Sequence, residues 1–124
     1  MIAAKLKSLK KNTFRSSFKL TQPDLEKAKS LIEKNDDGTL KYTKLQSDCI
    51  QIICTRLSPA NPKNDGKQTP YKGHPVFVAQ HATATCCRSC LMKWHGITKG
   101  KDMTKDEIFY VCKLIRSWIQ LELY

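Results

Sequence analysis

Residues 104–119 read Thr104-Lys105-Asp106-Glu107-Ile108-Phe109-Tyr110-Val111-Cys112-Lys113-Leu114-Ile115-Arg116-Ser117-Trp118-Ile119, and they decide the fold class. Thr104 and Glu107 stand at capping-box spacing, in which each side chain accepts a hydrogen bond from the other residue's backbone N–H. Behind that box, Ile108, Val111, Cys112, Ile115, Trp118 and Ile119 recur every three or four positions. That period places them on one helix face. Such a stripe needs other helices to cover it, and three more are readable upstream. Thr21 caps a helix that has Pro23 in its first turn and Leu25, Ala28, Leu31 and Ile32 on one face; Asn35-Asp36-Asp37-Gly38 stops it. Thr43 and Gln46 suggest a second capping box, and Leu45, Cys49, Ile52, Ile53 and Leu57 a second stripe, ended at Ser58-Pro59. Residues 76–95 read as a third helix, with room for a short extended opening at Val76-Phe77-Val78, and Gly96 ends it. The expected fold is mainly α: a small four-helix domain with a long, ordered, Pro-rich loop before helix 3.

That loop, residues 58–75, holds Pro59, Pro62, Pro70 and Pro75, four of the chain's five prolines. Its prolines limit its freedom, which suits a fixed wall more than a floppy lid, and the sequence leaves open whether it closes over the centre.

The chain has 124 residues, 40% hydrophobic and 27% charged, enough to bury the core of one domain. No apolar run approaches the roughly 20 residues that cross a bilayer, so no membrane role is expected. No secretory pattern follows the basic start, so the expected setting is the reducing cytoplasm. Net charge is +11, unevenly spread: +6 over residues 1–20, 0 over 21–57, +5 over 58–103 and 0 over 104–124. The organisation expected is a basic N-terminal arm (1–20), starting as a mobile tail and tied down near Phe14 and Phe18, then one helical domain (21–124) with a Cys/His-rich centre. Lysines that displace condensed counterions favour nucleic acid or another polyanion as partner. Lys10, Lys11, Lys67, Lys72, Arg88 and Lys93 are the candidate anion-binding residues.

Chemistry concentrates in the centre. Cys86, Cys87 and Cys90 lie within five positions, in a stretch that also holds all three histidines, His74, His81 and His95. Cys49, Cys54 and Cys112 lie in helices and read as small buried hydrophobes. Cys87-Arg88-Ser89-Cys90 is C-x2-C, a spacing that puts two thiolates on one zinc. Adding His95 gives three ligands of a zinc knuckle, but the fourth would fall on Gly100 and the turning glycines are missing. The candidate ligands are therefore Cys86, Cys87, Cys90, His81 and His95, with zinc as the ion. In one continuous helix His81 and His95 would stand about 21 Å apart, so they cannot serve the same ion there. A helix starting near 83–85 would instead put Cys86 and Cys87 at its N-terminus, where thiolates are favoured. Without metal, Cys86 with His81 is a candidate nucleophile and base, and Asp65 a candidate base unless it only caps the Asn64-Asp65-Gly66 turn. Tyr71 is the candidate exposed aromatic for stacking a base; Trp94 and Trp118 read as core.

The segments Asn64-Asp65-Gly66-Lys67-Gln68-Thr69-Pro70, Gly73-His74-Pro75-Val76-Phe77, Ala79-Gln80-His81-Ala82-Thr83-Ala84-Thr85-Cys86-Cys87-Arg88, Cys90-Leu91 and Lys93-Trp94-His95-Gly96-Ile97 resemble a family of small proteins of bacteria, archaea and viruses. It is catalogued only as a domain of unknown function. The likeness is dense over 58–101 and looser on either side. Family members usually carry Gly where this chain has Ser89 and Pro where it has Thr98. The resemblance implies that the centre is the functional part and that the source is bacterial or phage, with a host cytoplasm as the setting in the latter case. It implies no activity. The expectation is a small zinc-binding basic protein acting on or beside nucleic acid. The alternatives are a thiol-dependent enzyme using a Cys/His pair, and a protein-interaction module, modulating a host, with buried structural cysteines. The sequence leaves open whether the chain is an enzyme, and its oligomeric state.

Overall fold

The computed structural model describes residues 2–124; Met1, the first residue of the expected arm, lies outside them. The described residues form α1 (Ile2–Lys10), α2 (Thr13–Ser16), α3 (Gln22–Ser30), β1 (Glu33–Lys34), β2 (Leu40–Lys41), α4 (Thr43–Arg56), α5 (Pro75–Ala82), α6 (Arg88–His95) and α7 (Lys105–Leu123). The protein is mainly α, as expected. α7 is its spine and touches α4, α5, α1 and α3. Its buried stripe is Val111, Cys112, Leu114, Ile115, Trp118 and Ile119. Against it α4 sets Leu45, Cys49 and Ile53, and Leu57 closes the same core. Cys49 and Cys112 are buried in this interface, whereas Cys54, expected in the core, is exposed.

Local signals explain most helix ends. Both halves of the Thr104/Glu107 box form, as does a box between Thr21 and Asp24. The Thr43/Gln46 box does not: Tyr42 is the N-cap and no side chain caps the helix. The acidic stop after α3 is a short antiparallel hairpin, with Glu33 opposite Lys41 and Lys34 opposite Leu40. Asp37 accepts from the Thr39 N–H at 2.9 Å and holds its turn.

The helix expected over 76–95 is two helices. No extended piece opens the first, because His74 caps α5 by accepting the Val76 N–H on Nδ1, and Pro75 follows at the first helical position. At its far end Thr83 turns its hydroxyl back onto the Ala79 carbonyl at 2.7 Å, and Ala84 takes a left-handed φ of 57°. Gln80 brackets the break, accepting the Thr85 N–H on its carbonyl and donating Nε2 to the Thr85 carbonyl at 3.0 Å. A non-glycine residue in that conformation costs about 1 kcal/mol. The surroundings hold it there: every residue from Thr83 to Arg88 is buried.

The N-terminal segment also differs from the mobile tail expected. Leu6 and Leu9 are buried on α1, which packs on α7, and α2 packs on α5. The basic residues occupy the outer face of an amphipathic helix, so charge alone did not make a tail. Leu6→Ala is expected to cost about 2–4 kcal/mol in urea unfolding. A segment that were only a tail would leave the midpoint unchanged.

Candidate metal-thiolate centre

The break between α5 and α6 brings the sulfurs together. Cys87 is the N-cap of α6 with an extended backbone, φ −155° and ψ 168°, and its Sγ accepts the Cys90 N–H at 3.4 Å. Cys86 precedes it and Cys90 lies on the first turn. The three Sγ atoms all fall within 4.8 Å of one another, and Cys86 to Cys90 is 3.8 Å. Cys86 and Cys87 are buried and Cys90 is partly exposed.

Arg15, from α2, completes the cluster. Its Nη2 donates to Cys90 Sγ at 3.1 Å, and its Nη1 lies 3.7 Å from Cys86 Sγ and 2.8 Å from the His81 carbonyl. The sulfurs then divide their protons. Hydrogen bonds from Cys86, Cys87 and Arg15, with the guanidinium charge, hold the Cys90 thiol far below its ordinary range. Donation to its neighbours and burial push the Cys86 thiol far up. Thiol donors, a cation and a helix N-terminus thus all favour the thiolate on Cys90 over one on Cys86. Sequence reasoning counted Arg15 only as one charge of the arm. It lies 71 and 75 residues from the sulfurs it touches, and no local pattern marks it.

The histidines stand elsewhere. His81 Nε2 faces the Thr69 and Pro70 carbonyls at 3.1 and 3.2 Å, so among the described residues its hydrogen bonds run to carbonyls and not to sulfur. The Cys86–His81 nucleophile and base is therefore not assembled. Burial lowers the His81 pKa, and its ring stacks on Tyr71. His95 has both nitrogens engaged, Nε2 with the Thr83 carbonyl at 2.8 Å and Nδ1 with the Tyr110 hydroxyl at 2.9 Å. It pins the break between the helices from the side, and burial lowers its pKa too. His74 pairs Nε2 with Asp48 at 3.0 Å. Of the five ligands expected, the structure brings Cys86, Cys87 and Cys90 together and leaves His81 and His95 out of the cluster.

Two other candidates are structural. Arg88, expected on an anion, is 0% exposed. Its guanidinium donates to five carbonyls: Leu57 (3.4 Å), Ser58 (3.2 Å), Pro59 (2.7 Å), Thr98 (2.8 Å) and Lys101 (2.7 Å). Asp65, a candidate base, accepts from Gln68 Nε2 at 3.2 Å and from the Arg88 N–H at 3.4 Å, capping α6 from across the loop. The lysines are dispersed. Lys67 lines a cavity of about 390 Å³ with Lys63 and Arg56. Lys72 lines one of about 590 Å³ with Lys19 and Lys27. Lys10 borders a smaller one beside Arg15, while Lys11 and Lys93 are simply exposed.

Residues 3–120 match the family described as Domain of unknown function (DUF4186), in line with the uncharacterised family read from the central segments. No solved structure matches the chain.

Arg88→Lys keeps the charge but has three donors for five carbonyls. Leaving a buried acceptor unpaired costs about 1–3 kcal/mol, so a loss of at least about 2 kcal/mol is expected in urea unfolding. In the metal-free protein Cys90 should react with iodoacetamide well before Cys86 or Cys87 at neutral pH. Its depressed pKa contributes stability present above the ordinary thiol range and lost as pH falls through the depressed value. The rate should change less between pH 8 and pH 6 than that of an ordinary thiol, and should fall more steeply over that range in Arg15→Met, which loses the guanidinium but keeps the Cys86 and Cys87 donors. Mass mapping of the modified cysteine against pH checks both.

Proposed function

The chain belongs to the DUF4186 family of domains of unknown function, and from that premise we propose that it binds one thiophilic divalent ion, zinc first, through Cys86, Cys87 and Cys90, in a cytoplasmic domain that works on or beside nucleic acid. The observation that carries the reading is the sulfur geometry. Two thiolates bound to one tetrahedral zinc at about 2.3 Å stand about 3.8 Å apart. Cys86 and Cys90 stand at 3.8 Å already. Charge also fits: three thiolates, one Zn²⁺ and the Arg15 guanidinium sum to zero, which limits the penalty of a partly buried site. The guanidinium N–H groups that face the Cys86 and Cys90 sulfurs would serve metal-bound thiolates in the same way. Three protein ligands leave one position for water or for a group from a partner. The nucleic-acid side rests on the net charge of +11 and on its confinement to two segments.

A second reading is favoured by the Cys90 thiolate itself. It is a thiol-dependent enzyme in which Arg15 and the helix N-terminus, rather than a histidine, activate the nucleophile.

Elemental analysis of protein purified without chelators decides between them. One zinc per chain is expected, lost in Cys90→Ser and in Cys87→Ser. Zinc returned to the stripped protein at 100 times its dissociation constant should add about 2.7 kcal/mol of stability. No stoichiometric metal, with Cys86, Cys87 and Cys90 all open to a thiol reagent in the native protein, would overturn the zinc reading. Protein that carries no metal as purified, with one fast thiol on Cys90, would support the enzyme instead.

A further inference from the structure

The outer face of Tyr71 is a flat surface that the sulfur centre does not use. Its ring lies 4.1 Å from the His81 ring and 4° from parallel. Phe18 adds a third ring near the same orientation, 5.4 Å from His81 and 6.1 Å from Tyr71. His81 is buried, and its Nε2 is tied to the two carbonyls that lead into Tyr71. One face of the tyrosine is thus backed by an anchored ring. The side chain is nevertheless 63% exposed, so the opposite face looks outward.

Beside it lies the cavity of about 590 Å³, bordered by Phe18 and Tyr71 and by Lys19, Lys27 and Lys72. One acid, Asp24, also borders it, and its carboxylate is engaged by the Thr21 N–H and hydroxyl at 3.1 and 2.9 Å. The two segments that carry the net charge meet here: Phe18 and Lys19 come from residues 1–20, Tyr71 and Lys72 from 58–103.

We infer that this cleft binds single-stranded nucleic acid, with an unpaired base stacked on the outer face of Tyr71 and the neighbouring phosphates on Lys19, Lys27 and Lys72. This deepens the nucleic-acid half of the proposed function and rests on it. A base presents a π-face only when it is unpaired and unstacked, so an aromatic platform selects single strands. A platform already fixed by His81 loses little freedom when a base lands on it. Lysines around the ring supply the counterion-releasing contacts a strand needs. RNA and DNA share this chemistry, since stacking on a base and pairing with phosphates need neither the presence nor the absence of the 2′-hydroxyl.

Fluorescence anisotropy with labelled 12-mers of dT and rU, and with a 12-base-pair duplex, tests the inference on the full chain. Single strands should bind more tightly than the duplex. Tyr71→Ala should weaken single-strand binding roughly 5- to 100-fold and leave duplex binding unchanged, while Tyr71→Phe keeps the parent affinity. Lys72→Ala should reduce the slope of log K against log salt by about 0.7. If Tyr71→Ala fails to fold, Tyr71→Trp carries the test: its added fluorescence should be quenched by the single strands and not by the duplex. Equal binding of strands and duplex, indifferent to Tyr71 and falling with salt, would overturn the platform and leave the nucleic-acid reading standing. Absence of quenching at position 71 counts in the same way. No binding of any of the three at low salt would overturn both. Preference between the dT and rU arms separates DNA from RNA.

Discussion

A buried guanidinium holds this structure in register. Arg88 is the first residue of α6, fully enclosed, and among the described residues it has no carboxylate paired with it. Moving a charge out of water costs several kcal/mol unless dipoles replace the lost hydration. Five carbonyls do so here, three from residues 57–59 at the end of α4 and two from Thr98 and Lys101 before α7. The end of α4 and the segment that leads into α7 are therefore tied to one side chain. Cys87 and Cys90 flank that side chain in sequence, so the same anchor sets where their sulfurs stand. The Pro-rich loop follows from it too, since the Ser58 and Pro59 carbonyls belong to its first residues and Asp65 caps the N–H of Arg88 itself.

A second arginine performs the opposite service. Arg15 brings its charge to the sulfurs and stabilises negative charge there. It reaches them because α1 and α2 are folded onto the core. One of its nitrogens holds the His81 carbonyl, and the His81 ring in turn backs Tyr71. The sulfur centre and the aromatic surface thus share one residue, through its backbone on one side and its ring on the other. The histidine that spacing offered as a metal ligand is the joint between the two sites.

The break at 83–87 shows how tertiary context overrides periodicity. Residues 76–95 contain neither glycine nor proline, and nothing local forbids one long helix. Thr83 and Gln80 end it by giving the backbone hydrogen bonds that compete with helix propagation, in a site where every surrounding residue is buried. Had the helix continued, Cys86 and Cys90 would still share a face, but Cys87 would have lost the cap position that aims its sulfur at the Cys90 N–H.

The sequence by itself determined what depends on neighbours in the chain. The Thr21 cap, the capping box at Thr104, the stripes of α4 and α7 and the proline-rich loop were legible, because a few residues within a turn or two decide them, whereas the box read at Thr43 and Gln46 did not form. So was the meeting of Cys86 or Cys87 with Cys90, since three or four residues is one turn of helix. The tertiary structure alone decided everything that pairs distant groups. It put Arg15 on the sulfurs, enclosed Arg88 in carbonyls, engaged His81 and His95 away from them, and packed Leu6 and Leu9 of the basic N-terminal segment into the core. The reason is that a side chain's ionisation and partners are set by whatever the fold packs beside it, and those neighbours lie tens of residues away where no local pattern can name them.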